Sequence, residues 1–273
     1  MLPKIIDPYM IVTPNYVLKF VRSSLIENYS LLQVIIILGT YFFASSVKGL
    51  TGLGFSTICL PFIVLTVGLK AALPLLIIPS LASNFIVMRQ AGYFRTTVRR
   101  FWHMLIATVL GVCLGLMLLG SVDDKLAGAV LGLVLILWCA FSYVTPNLKL
   151  PLEKERPTGI MSGMATGIIN GLTGSQVIPC VPYLMALKLD RNIFIQATNI
   201  SFTLSSLIMA IGLIHLELFT LDAKKLSIIG LVLVLFGLQL GTKIRSRLSP
   251  ANFRLAVLLV LFISALGLLF EAT

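Results

Sequence analysis

The chain has 273 residues, of which 58% are hydrophobic and 11% charged, and its formal net charge is +11. With a mean hydropathy of +1.02, it holds too few polar residues to cover a water-soluble domain, so the composition excludes an ordinary soluble fold and makes the bilayer the solvent. The basic residues border apolar runs, which ties the positive charge to membrane topology rather than to nucleic acid.

A crossing of a hydrocarbon core ~30 Å thick takes ~20 mostly apolar residues at about 1.5 Å of helical rise each. Backbone groups in lipid must pair within their own segment, and the apolar runs here are too long and uniform for barrel strands, so the spans are helices. Residues 1–30 read as an N-terminal tail. They hold Lys4, Asp7, three prolines and Arg22 and lack the pattern of a cleaved leader. Spanning segments then follow at 31–67, 71–90, 101–120 and 125–145, and after a linker at 146–157 again at 158–187, 192–214, 225–242 and 252–270.

The first and fifth segments are too long for one crossing. Each is interrupted by a glycine cluster, Gly49-Leu50-Thr51-Gly52 in one and Gly171-Leu172-Thr173-Gly174 in the other, which predicts two half-helices and a break. The connections rich in Lys and Arg, at 89–100 (Arg89, Arg95, Arg99, Arg100), 146–157 (Lys149, Lys154, Arg156) and 243–254 (Lys243, Arg245, Arg247, Arg254), are expected in the cytoplasm. That assignment gives 158–187 the cytoplasm at both ends, so it enters and returns, and the same parity places the N-terminal tail outside despite its Lys4, Lys19 and Arg22.

A first half read from outside to inside and a second from inside to outside are inverted repeats. The residues point to a duplication independently: the Gly-Leu-Thr-Gly motif recurs, Ala82-Ser83-Asn84 recurs as Ala197-Thr198-Asn199, and Pro61 has a counterpart in Pro182. The expected fold is therefore an all-α polytopic membrane protein. It comprises two inverted repeats, 31–145 and 158–273, of about four segments each, and the first segment of each is broken or re-entrant.

Broken helices in such repeats bring half-helix ends and bare amides toward the bilayer midplane, where they can hold an anion. The first break offers Lys48, Gly49, Thr51, Gly52, Gly54 and Ser56, and the second Asn170, Gly171, Thr173, Gly174, Ser175 and Gln176. Neighbouring segments add Ser80, Ser83 and Asn84, and Gln196, Thr198, Asn199 and Ser201. All ten acidic residues fall in tails, loops or segment ends. A cavity with donors, dipoles and one lysine but no carboxylate favours an anion over a cation. The substrate-binding set is accordingly Lys48, Gly49, Thr51, Gly52, Gly54, Ser56, Asn84, Asn170, Gly171, Thr173, Gly174, Ser175, Gln176, Gln196 and Asn199. Close packing of the glycines and interhelical bonding by Asn84, Asn199 and Gln196 are the alternative uses of these residues.

No Ser/His, His-rich or paired-carboxylate constellation falls within the spans, so catalytic and metal residues and cofactors are read as none. The four cysteines stand singly in apolar runs and read as packing residues.

Val47 to Phe55 followed by Pro61, and Gly163, Gly167, Asn170 to Gly174, Pro179 and Pro182 with Ala197-Thr198-Asn199 beyond, together resemble the TauE/SafE family of sulfite and organosulfur exporters. The likeness runs from about residue 31 to 270. It implies a multi-pass carrier in a bacterial plasma (inner) membrane for small sulfur-containing anions such as sulfite, sulfoacetate or related organosulfonates. Many members carry a Gly-Pro pair soon after the second break, where this chain has Ser175-Gln176-Val177-Ile178-Pro179. The partners implied are a small anionic solute and the lipid bilayer, with no nucleic acid, and a homodimer is one assembly such a carrier could form. A carrier for another small solute, anion or amino acid, and a non-transporting scaffold are the competing readings. Spans free of carboxylates suggest flux down a gradient, insensitive to imposed pH and sodium gradients.

Overall fold

The computed structural model describes residues 28–144, 147–244 and 250–272. Ten helices and no strand occur among the described residues: α1 (Leu31–Thr51), α2 (Phe55–Val67), α3 (Leu69–Ala91), α4 (Phe94–Ser121), α5 (Asp124–Val144), α6 (Leu152–Thr173), α7 (Cys180–Ala186), α8 (Arg191–His215), α9 (Leu221–Ile244) and α10 (Pro250–Ala272). Of these, α1, α3, α4, α5, α8 and α9 are long and apolar enough to cross a membrane. The protein is thus an all-helical, multi-pass membrane protein. The basic tail at 1–27 and residues 245–249 of the last basic connection lie outside the described residues.

Several helices outrun the apolar stretches that mark them in sequence. The α6 helix begins at Leu152, inside the stretch read as linker, because Glu153 and Glu155 in its first turn suit the positive end of the helix dipole. Asp124, which opens α5, reaches across to the start of α3 and accepts from the backbone amides of Leu69 at 3.0 Å and Lys70 at 2.7 Å. It caps a helix other than its own. Inside α3, Pro79 lacks an N–H and so frees the carbonyl of Leu75. The hydroxyls of Tyr41 and Ser227 both donate to that carbonyl, which repairs the ladder from neighbouring helices.

Tertiary contacts sort the helix ends into two sets. One end gathers Asn28 with Asp222, Gln33 with Thr66 and Lys70 with Val122. The other gathers Arg100 with Glu155, Lys188 with Asn147 and the amide of Leu150 with the carbonyl of Ala186. This second end carries the described basic residues of those connections, among them Arg95, Arg99, Arg100, Lys149, Lys154, Arg156 and Lys243. Both broken segments are hairpins: Gln33 at the start of α1 bonds to Thr66 at the end of α2, and Tyr183 in α7 returns to the carbonyl of Glu155 in α6. The two hairpins open at opposite ends of the molecule.

Helix pairing follows a regular exchange. The α1 helix packs along α9 and α6 along α4, α3 meets α9 as α8 meets α4, and α3 crosses α8 while α5 lies against α10. Exchanging the first five helices with the second five in order turns this set of pairs into itself. Glycine allows close approach in two of these pairs, α4 with α6 and α1 with α9. A methyl group on Gly171 would lie 2.7 Å from the Gly115 Cα and the Leu116 amide of α4, and one on Gly49 would lie 3.0 Å from the Thr242 amide of α9. Small residues at such crossings let backbones meet, which is how helices gain packing where lipid supplies no hydrophobic drive.

Candidate solute site

The Gly-Leu-Thr-Gly motif is a helix stop, built the same way twice. Gly52 and Gly174 take the left-handed conformation, with φ of 84° and 79°, and each donates its N–H to the carbonyl four residues back, Lys48 and Asn170 respectively, at 2.7 Å. Only glycine adopts that conformation readily, so the motif ends the helix at its last residue. The threonine hydroxyls fasten the stop: Thr51 donates to Val47 and Thr173 to Ile169, and each accepts from the amide two residues on, Leu53 and Ser175. The first glycines of the motifs, Gly49 and Gly171, serve the helix pairing described above.

Lys48 sits one turn before the first stop and is 1% exposed. Its ammonium donates to the Ser83 hydroxyl at 3.2 Å and to the Asn84 side-chain oxygen, both on α3. Among the described residues the acidic groups lie at helix ends or between helices, and no carboxylate forms an ion pair with Lys48. A cation buried among neutral partners is costly, and an anion beside it lowers that cost.

A cavity of about 430 Å³ lies against Lys48, Gly49 and Gly52. Its outer wall is made by the ends of α3 and α9 and the start of α8, through Gln90, Asn192, Gln239, Thr242 and Lys243, all exposed. These are residues of the basic end, so the cavity leads from that end inward to the buried ammonium. No acidic residue lines it.

The second break borders a different and much smaller cavity, about 20 Å³, lined by Ser56, Ser80, Asn170, Gly174, Gln176 and Ser206 together with apolar residues of α3 and α8. The sequence pattern suggests half-helices meeting at one void shared by both breaks; instead α1 and α6 are full helices of 21 and 22 residues that run past each other. Gly49 packs near the end of α9 at the basic side, whereas Gly171 packs on Gly115 in the opposite half of α4. One helix links the two cavities: in α3 the Ser83 hydroxyl accepts from Lys48 and donates to the Ser80 carbonyl, and the Ser80 and Ser56 hydroxyls lie 3.2 Å apart. A polar path therefore crosses the centre.

The remaining predicted residues are dispersed around this path. Asn199 donates to the carbonyls of Gly52 at 3.1 Å and Ile195 at 2.8 Å, so the second half holds the first helix stop. Gln196, with its amide nitrogen turned toward them, donates to the carbonyls of Gly92 and Met88. Thr51 is exposed, Gly54 precedes the first residue of α2, and Thr173 and Ser175 are buried behind the second stop; none of these four lines either cavity. The sequence reading omits Gln90, Asn192, Gln239 and Ser206. Gln239 carried a legible signal as a lone amide in the apolar run of α9, whereas Gln90 and Asn192 look like ordinary helix-end polar residues.

The model of the sulfite exporter TauE/SafE family matches residues 37–268. No curated protein and no solved structure matches the chain.

Proposed function

The chain belongs to the sulfite exporter TauE/SafE family, and from that premise we propose that it exports small sulfur-containing anions, sulfite, sulfoacetate or related organosulfonates, by alternating access across a bacterial plasma membrane. One observation carries the reading: the buried Lys48 ammonium has only neutral hydrogen-bond partners and faces a cavity free of carboxylates. An anion arriving there gains charge attraction from the ammonium, and Asn84, which accepts from Lys48 through its side-chain oxygen, has its side-chain nitrogen buried without a partner beside that group. The same features reject cations.

The cavity leads in from the basic end, which the distribution of Lys and Arg assigns to the cytoplasm. This is the conformation in which an exporter loads. The helix-pair exchange and the oppositely opening hairpins support the inverted-repeat reading, in which the halves rock about the α3–α8 crossing. When the other end opens, the solute leaves along the α3 path past Ser80 and Ser56.

The test is counterflow of radiolabelled sulfite in proteoliposomes of the full chain. Unlabelled sulfite and sulfoacetate are expected to compete, while amino acids and inorganic cations are not. Competition by a neutral amino acid as strong as that by sulfite would move the substrate to another class, and no flux of any anion would remove the proposal.

A further inference from the structure

The small cavity at the second break has the wrong chemistry for an anion. Asn170, 1% exposed, has neither side-chain amide atom partnered, and Gln176, 6% exposed, donates to the Ser206 hydroxyl at 3.2 Å and leaves its oxygen without a partner. Each buried polar group left unpaired costs ~1–3 kcal/mol, so two facing one small space mark a place where a bound species belongs. A cavity of about 20 Å³ has room for one water or one monatomic ion. The oxygens available are two amide oxygens, from Asn170 and Gln176, and three hydroxyls, from Ser56, Ser80 and Ser206, supplied by separate elements. The α6 helix ends beside them at Gly174, and the carbonyl end of a helix is its negative pole.

Lys48 and Asn170 occupy the same place in the two helix stops, each accepting the glycine amide at 2.7 Å. In the first half the space beyond the stop is entered by an ammonium held by amide and hydroxyl oxygens. In the second the side chain is a short amide, and oxygens of the same kinds line a cavity. We propose that this cavity binds a monovalent alkali cation, sodium by size, so that a mobile ion does at the second break what the Lys48 ammonium does at the first. Neutral ligands suit a monovalent ion, since calcium and magnesium sites draw on carboxylates. Broken-helix carbonyl ends are a recurring place for sodium in membrane carriers.

The coupling that follows rests on the anion-carrier reading; the cation site does not. With no carboxylate in the cavity wall, the ion and the Lys48 ammonium repel one another across the α3 serines, and an anion in the Lys48 cavity offsets both. Sodium and anion therefore strengthen each other's binding by the same factor. On this coupling sulfite flux depends on sodium, where the absence of acidic residues in the spans suggests a sodium-insensitive flux.

Equilibrium binding of radiolabelled sodium to the purified full-length protein in choline buffer, with and without sulfite, tests this. The wild type is expected to bind one sodium per chain, lithium to compete and choline not. Asn170→Ala and Gln176→Ala should each weaken binding by about tenfold, the effect of one lost ion-directed ligand. Asn170→Asp, which adds a charge in nearly the same shape, should keep or tighten it, and so separates loss of a ligand from loss of fold. Absence of saturable sodium binding in the wild type, with sulfite flux intact, would overturn the cation site and leave the carrier standing. Sodium binding intact with no anion flux in any salt would have the opposite meaning. Sodium binding that sulfite does not tighten would overturn the coupling.

Discussion

Replacing Lys48 by methionine removes the charge while keeping an unbranched side chain of similar reach in a site that is 1% exposed. A unit anion about 5 Å from the ammonium, in surroundings of effective dielectric near 20, gains roughly 3 kcal/mol, which corresponds to about two orders of magnitude in affinity. The KM for sulfite in proteoliposome flux should rise by about that factor. Stability should behave differently, because removing a buried charge that has no counter-charge is neutral or favourable even after its bonds to Ser83 and Asn84 are lost. The melting temperature in detergent should therefore hold within a few degrees. If Lys48 were only a strut between α1 and α3, the melting temperature would fall and the protein that stayed folded would transport with an unchanged KM. That pairing of results refutes the electrostatic argument.

Gly171→Leu forces side-chain atoms into the backbone of α4, where even a methyl carbon would meet the Gly115 Cα at 2.7 Å, and should cost about 1–3 kcal/mol or more as an overpacked contact, read as a drop in thermal unfolding temperature. An unchanged temperature would mean that the α4–α6 crossing is looser than its geometry. Gln239→Cys, in a background with the four native cysteines replaced, should react with a membrane-impermeant thiol reagent from the basic side only, and sulfite should slow the reaction; labelling from the opposite side would reverse the orientation of the cavity. Asp124→Ala removes the cap on the α3 amides of Leu69 and Lys70, and a loss of about 1–2 kcal/mol is expected, measured as the shift in thermal unfolding with Asp124→Asn as the partial rescue.

Much of the architecture was legible in the chain because it depends on quantities that add along a helix. Apolar length marked α3, α4, α5, α8 and α9 as spans, the Gly-Leu-Thr-Gly motifs marked the stops at Gly52 and Gly174, and counting Lys and Arg forced the segment at 158–187 to return to the end it left, as Tyr183 and Glu155 now show. The near absence of charge inside the spans singled out Lys48 for the same reason: burying an unpaired ion is costly enough to be visible in one sequence. Which face meets which is a different kind of quantity. Gly49 and Gly171 pack against neighbouring helices, Gln90, Asn192 and Gln239 converge on the cavity of Lys48, and the two stops pass each other to border separate cavities. Those outcomes are decided by pairing between helices distant in sequence, through many small contacts summed over whole surfaces, and no local pattern encodes that sum.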